Sequence, residues 1–193
     1  MAFTMPAYRN ANGLVIVLAA LLLTMLSARA DFKVAEVSPR IADQSLNLSG
    51  KLELGLTAKV EEALRKGIPI EVIIHIDMFR QRFLLWDPRL HDWVLRRRIS
   101  YHALSRQYLV TGHRRDPDAI ESFTSLETAL ASMGSLDELK FPLDGGTQDQ
   151  AQYYLRVRAS LDVDSLPAPL RPVAYTSLSW RLNSGWTVWT VRQ

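Results

Sequence analysis

With no cysteine among its 193 residues, this chain can hold no disulfide, thiol nucleophile or zinc–thiolate site. Its 23 basic and 20 acidic residues leave a net charge of +3, and two of the bases, Arg9 and Arg29, belong to a leader-like start. Residues 31–193 thus carry 21 bases against 20 acids, a balance that argues against a general nucleic-acid binder.

The start reads as an export signal. Arg9 lies in a short polar lead, an apolar run from Leu14 to Leu26 is interrupted only by Thr24, and Ala28-Arg29-Ala30 supplies the small-x-small pattern of a cleavage site. Cleavage is expected after Ala30. The alternative is an inner-membrane anchor over residues 10–28: the thirteen-residue run at about 1.5 Å each falls short of a hydrocarbon core of about 30 Å, but the nineteen uncharged residues from Asn10 to Ala28 leave it open. Either way the body of the protein, residues 31–193, is expected in the periplasm as one β-rich domain.

Short alternating segments follow. Phe32 to Val37 and Leu46 to Leu54 alternate apolar and polar residues as half-buried strands do. Leu56 to Lys66 switches to helical spacing, with Val60, Ala63 and Leu64 on one side, and Gly67 and Pro69 stop it. Ile68 to Leu85 reads as a long strand, and Trp86 to Trp93 as a hairpin loop whose two tryptophans pair across the strands. Val94 to Tyr101 and Ser105 to Thr111 return as strands, and Arg114 to Asp118 is a polar loop. A second helix is expected from Thr124, three residues before Glu127 in capping-box spacing, to Gly134. Tyr153 to Val163 alternates again, with Tyr154, Arg156, Arg158, Ser160 and Asp162 on its polar face. After an extended Pro167–Pro172 segment, Tyr175–Leu182 and Trp186–Val191 are expected to close the domain as a strand pair. The pattern predicts a mostly β fold, an antiparallel immunoglobulin-like β-sandwich with two short helices. The alternative is a split α+β arrangement.

Several stretches of this sequence resemble a family of bacterial exported proteins, the domain of unknown function 4390. They are Ala63–Pro69, Trp86, Tyr101–Val110, Phe123-x-Ser125-Leu126-x-x-Ala129-Leu130, Leu166–Pro172 and the closing Trp180…Ser184-Gly185-Trp186. The resemblance spans nearly all of residues 31–193. It implies a Gram-negative periplasmic setting and a gene neighbourhood near a sensor histidine kinase. It implies no activity and no site residues.

No nucleophile elbow, zinc-protease helix or phosphate loop is present. The histidines His75, His91, His102 and His113 are eleven to sixteen residues apart, without metal-motif spacing. His75 and Asp77 share a strand face and are the one strand pair able to ligate or to exchange a proton, although such pairs are usually ordinary polar residues of a solvated sheet face. Neither cofactor nor metal is expected, and no enzymatic activity. The sharpest feature is charge asymmetry: Phe79 to Arg115 holds nine arginines and two aspartates, against net −2 in residues 31–78 and −4 in residues 116–193. Arginine forks suit phosphates and carboxylates. Arg80, Arg82, Arg96, Arg97 and Arg98, flanked by Trp86 and Trp93, therefore form the candidate binding surface. Arg80 and Arg82 are expected to gather with Arg96 and Arg98 across the hairpin, so that replacing all four with Gln leaves stability unchanged or raised. Alternation turns Arg97 to the other face, where it needs an acid partner or a wet sheet edge. The expected function is a non-enzymatic module contacting a membrane or periplasmic protein such as the neighbouring kinase. An anionic membrane surface is the second candidate partner, and a hydrolase the third reading.

Overall fold

The computed structural model describes residues 31–82, 86–112, 119–137, 139–143 and 151–192. The expected export signal, with Ala28 and Ala30, lies outside the described residues, as do Arg114 and Arg115. Among the described residues no helix is long and apolar enough to cross a membrane.

Strands β1 (Phe32–Ala42) and β2 (Ser45–Leu54) form a hairpin. Its two-residue turn places Asp43 and Gln44 at φ 51° each, the left-handed pair that matches the natural twist of the flanking strands. A bulge between Val34 and Glu36 bends β1, and Gly50 faces it. A Cβ there would lie 2.3 Å from the Glu36 carbonyl oxygen. Helix α1 (Ala58–Arg65) starts on Thr57, whose hydroxyl accepts from the Val60 amide at 3.2 Å. It buries Val60, Ala63 and Leu64 and ends at Gly67, φ 84°.

Strand β3 (Ile70–Arg80) pairs with β4 (Arg89–His102), which continues through β5 (Gln107–Thr111) to β6 (Ile120–Phe123). Helix α2 (Leu126–Gly134) is capped by Ser125, whose hydroxyl accepts from the Thr128 amide at 3.1 Å. The cap is thus one residue later than the Thr124–Glu127 spacing suggests. Strand β7 (Leu139–Pro142) adds to β2, and β8 (Tyr153–Leu161) to β3.

The closing segment departs from expectation. Pro167 begins a turn, closed by the Leu170 amide on its carbonyl at 2.9 Å, that runs into helix α3 (Arg171–Thr176). Pro172 lies in the first turn of that helix, where its missing N–H costs nothing. A 3₁₀ turn (Leu178–Trp180) follows, so Tyr175–Leu182 is no strand. Strand β9 (Thr187–Thr190) pairs with β8 instead.

Two antiparallel sheets result, β1-β2-β7 and β6-β5-β4-β3-β8-β9. The sandwich expected from alternation is present, divided three strands against six rather than in the four-and-three split of an immunoglobulin constant domain. The inward rows are Ile70, Val72, Ile74, Ile76 and Met78 on β3 and Leu155, Val157 and Ala159 on β8. They meet Leu46, Leu48, Leu52 and Leu54 of β2, with Ala129 and Met133 of α2 closing one flank. One face of the six-stranded sheet is spent on this core. The other faces solvent.

Candidate binding site

Strand alternation sorts the chemistry of the six-stranded sheet by face. On the solvent side, β3 presents Glu71, Ile73, His75, Asp77 and Phe79. The register sets His75 beside Arg158 and Asp77 beside Arg156 on β8, and Glu71 beside Arg98 and Ile73 beside Arg96 on β4.

The arginines singled out from the sequence do not gather. Arg96 follows Ile73 in register, whereas Arg80 ends β3 seven residues further on. At about 3.3 Å per residue that separates them by roughly 23 Å. Arg80 is half-buried opposite Tyr153, and Arg82 lies beyond the strand with its backbone N–H on Asp87 Oδ1 at 2.8 Å. Arg96 and Arg98 do share a face, but they are neutralised. Glu71, nearly buried, accepts from Arg96 Nη1 at 3.2 Å and from Arg98 Nη2 at 2.9 Å, and Asp162 accepts from Arg96 at 2.9 Å. The hydrogen bond to Glu71 is the main reason that the Arg96 pKa is raised. These charges are answered within the fold.

Arg97 is not on the surface. It is 1 % exposed and points into the space between β4 and α2. There its Nη1 donates to the carbonyls of Met133 and Ser135 at 2.5 Å each, and among the described residues its Nε has no partner. Among the described residues no acid partner reaches Arg97, and its burial rules out a wet edge. The guanidinium instead caps the carbonyl end of a helix, where partial negative charge accumulates. Desolvation pulls its pKa down to about 10, so it stays a cation at neutral pH. The two tryptophans part as well. Trp93 packs on Phe141 at 4.9 Å and stacks on His91 at 5.3 Å, while Trp86 is 90 % exposed.

A different cluster occupies the solvent face. The Arg156 guanidinium lies over the Trp186 ring at 4.6 Å and near the Phe79 ring at 5.4 Å, and Arg158 approaches the same Trp186 ring at 6.0 Å. Among the described residues neither arginine has an acid partner within ion-pair distance, and the buried Nε of Arg158 has no hydrogen bond. Asp77, opposite Arg156, turns its carboxylate to Arg89 at 3.7 Å. His75 lies against Trp186 with ring centroids 6.3 Å apart, so His75 and Asp77 each face a different neighbour. Phe79 stacks on Tyr154 at 5.2 Å, and the Tyr154 hydroxyl donates to Asp87 at 3.0 Å. Burial first, then that bond, raises the phenol pKa. The face therefore offers two cations held by aromatic rings.

The model of the Domain of unknown function (DUF4390) matches residues 29–190. The chain belongs to this family. No curated protein and no solved structure matches it.

In this DUF4390 chain the Arg156–Arg158–Trp186 cluster was hidden by counting charge along the sequence. Residues 116–193 are net negative, yet β8 puts its two arginines on one face while many of the acids of that stretch lie off the strand. The polar row of β8 was visible, and so was the aromatic partner, in the segment Ser184-Gly185-Trp186. That the two meet depends on β9 pairing with β8, which sequence spacing did not indicate. Among the described residues no three His, Asp or Glu side chains gather as a metal site.

Proposed function

We propose that this DUF4390 chain is an exported, non-enzymatic binding module that docks on a periplasmic or membrane protein through the solvent face of its six-stranded sheet. The carrying observation is the composition of that face. Phe79, Tyr154 and Trp186 lie side by side with Arg156 and Arg158, and Val94 and Val188 stand exposed beside them. Aromatic residues and arginine are the types enriched where proteins bind one another, and they carry most of the binding energy there. The export signal at residues 1–30 supports the periplasmic location. The resemblance noted above points to the sensor domain of a histidine kinase as the partner. The anionic-lipid reading loses ground, because Arg96 and Arg98 are already neutralised by Glu71 and Asp162.

A photoreactive residue at Val188, 66 % exposed on β9, tests the docking face in living cells. A control goes at Glu53, on the outer side of β2. An adduct with the kinase from Val188 and none from Glu53 is the expected result. Adducts from Glu53 alone, or from neither position, overturn the assignment of this face.

A further inference from the structure

We infer that Arg156 and Arg158, braced on Trp186, form an oxyanion site for the carboxylates of an extended acidic segment of the partner. The inference rests on the docking face proposed above and says what that face recognises. Most other cations on this face, Arg89, Arg96 and Arg98, have carboxylates within 4 Å. Among the described residues Arg156 and Arg158 have none, although β8 brings them to adjacent positions of one face. Two like charges that close repel each other, and an anion between or above them relieves that repulsion.

The geometry suits a carboxylate. The Arg156 guanidinium lies 4.6 Å from the Trp186 ring centroid, and a guanidinium resting on an aromatic face keeps edge N–H groups available for a carboxylate. Holding the forks beforehand lowers the entropy lost on binding. The spacing adds specificity. Residues i and i+2 of a strand lie about 6.6–6.8 Å apart on one face, and so do alternate residues of any extended peptide. A segment of the form acid-x-acid laid along β8 sets one carboxylate over each arginine. The adjoining Phe79 and Val188 give the intervening residues an apolar surface. Phosphate headgroups lack this repeat, which favours a peptide over a membrane.

The test uses the chain from residue 31 to 193 and calorimetric titration with three synthetic peptides: Glu-Ser-Glu-Ser-Glu, the same residues reordered as Glu-Glu-Ser-Ser-Glu so that no two acids are two residues apart, and Gln-Ser-Gln-Ser-Gln. The alternating acidic peptide is expected to bind best and the Gln peptide not at all. Arg156→Gln and Arg158→Gln should each weaken binding about tenfold or more, as loss of a charge-assisted pair does. Arg96→Gln should leave it within about twofold, since that arginine already has its acids. If Arg158→Gln loses the fold by circular dichroism, Arg156→Gln decides, and its Nε–Hε resonance must shift on titration of the wild type. Absence of binding by the wild type, equal binding of the alternating and reordered peptides, wild-type affinity in both variants, or binding only to phosphatidylglycerol vesicles overturns the inference. A Val188 adduct that persists in the Arg156→Gln/Arg158→Gln background overturns it too while leaving the docking face standing. A wild-type chain that binds the alternating peptide but gives no Val188 adduct has the oxyanion site and not the docking partner.

Discussion

Replacing Arg97 with Met tests whether a buried cation stabilises this fold or burdens it. Methionine nearly keeps the length and apolar stem, so little cavity opens. Both hydrogen bonds to Met133 and Ser135 are lost. The buried Met133 carbonyl left without a donor costs about 1–3 kcal/mol and the part-buried Ser135 carbonyl less, so the two together cost about 2–4 kcal/mol before relaxation. Against this, the variant no longer buries a charge whose Nε is unpartnered, which recovers part of that cost. A net loss of about 1–3 kcal/mol is expected, or roughly 2–12 °C in Tm for a domain of this size. Urea unfolding at constant m reads the change as a shift of midpoint. The loss should be local first: amide exchange should quicken over the last turn of α2 more than over β3. A variant as stable as the wild type, or more stable, would falsify the view that Arg97 fastens the helix, and would show that desolvation of the guanidinium outweighs its two bonds.

Gly134→Ala should destabilise the domain by about 1–3 kcal/mol although alanine is the better helix former, because its Cβ would lie 2.2 Å from the Leu52 carbonyl oxygen. An unchanged urea midpoint would mean that α2 does not press on β2 as described. The quadruple replacement of Arg80, Arg82, Arg96 and Arg98 with Gln is expected from the sequence to be neutral or stabilising, but its Arg96→Gln/Arg98→Gln half alone should lower the midpoint, since it strands the Glu71 carboxylate at 8 % side-chain exposure. A rise would reinstate the repelling-cluster view. Mass spectrometry of the envelope protein should find a chain that begins at Asp31, whereas an intact Met1 terminus would mean that the leader is retained.

Elements whose inward rows are uninterrupted were legible from periodicity. The Leu46–Leu48–Leu52–Leu54 row of β2, the Val60–Ala63–Leu64 face of α1 and the five-residue inward row of β8 fall where alternation and helical spacing set them. The four-residue strands β6 and β7 were not, since four residues give alternation too little length to show. Residues Tyr175–Leu182 were misread because Tyr, Leu and Trp suit strands by type. There the local turn and Pro172 decided for helix. For Arg97, alternation correctly turned the side chain to the opposite face from Arg96 and Arg98. Its acceptors, however, are main-chain carbonyls about 36 residues away, and no side-chain pattern marks those in advance.

Central strand β3 carries a kinetic consequence. Its segment Ile70-Glu71-Val72-Ile73-Ile74-His75-Ile76 is rich in β-branched residues, and its two neighbours arrive at very different times. Strand β4 follows after a short connection, but β8 pairs Val72 with Leu161 and Arg80 with Tyr153, so that edge stays open until most of the chain has emerged. A chain still emerging therefore exposes an unpaired, isoleucine-rich ladder before β8 is available. Nascent copies that meet in this interval can zip together edge to edge. The yield of native protein should thus depend on the rate at which the chain is delivered and on the chaperones that shield strand edges.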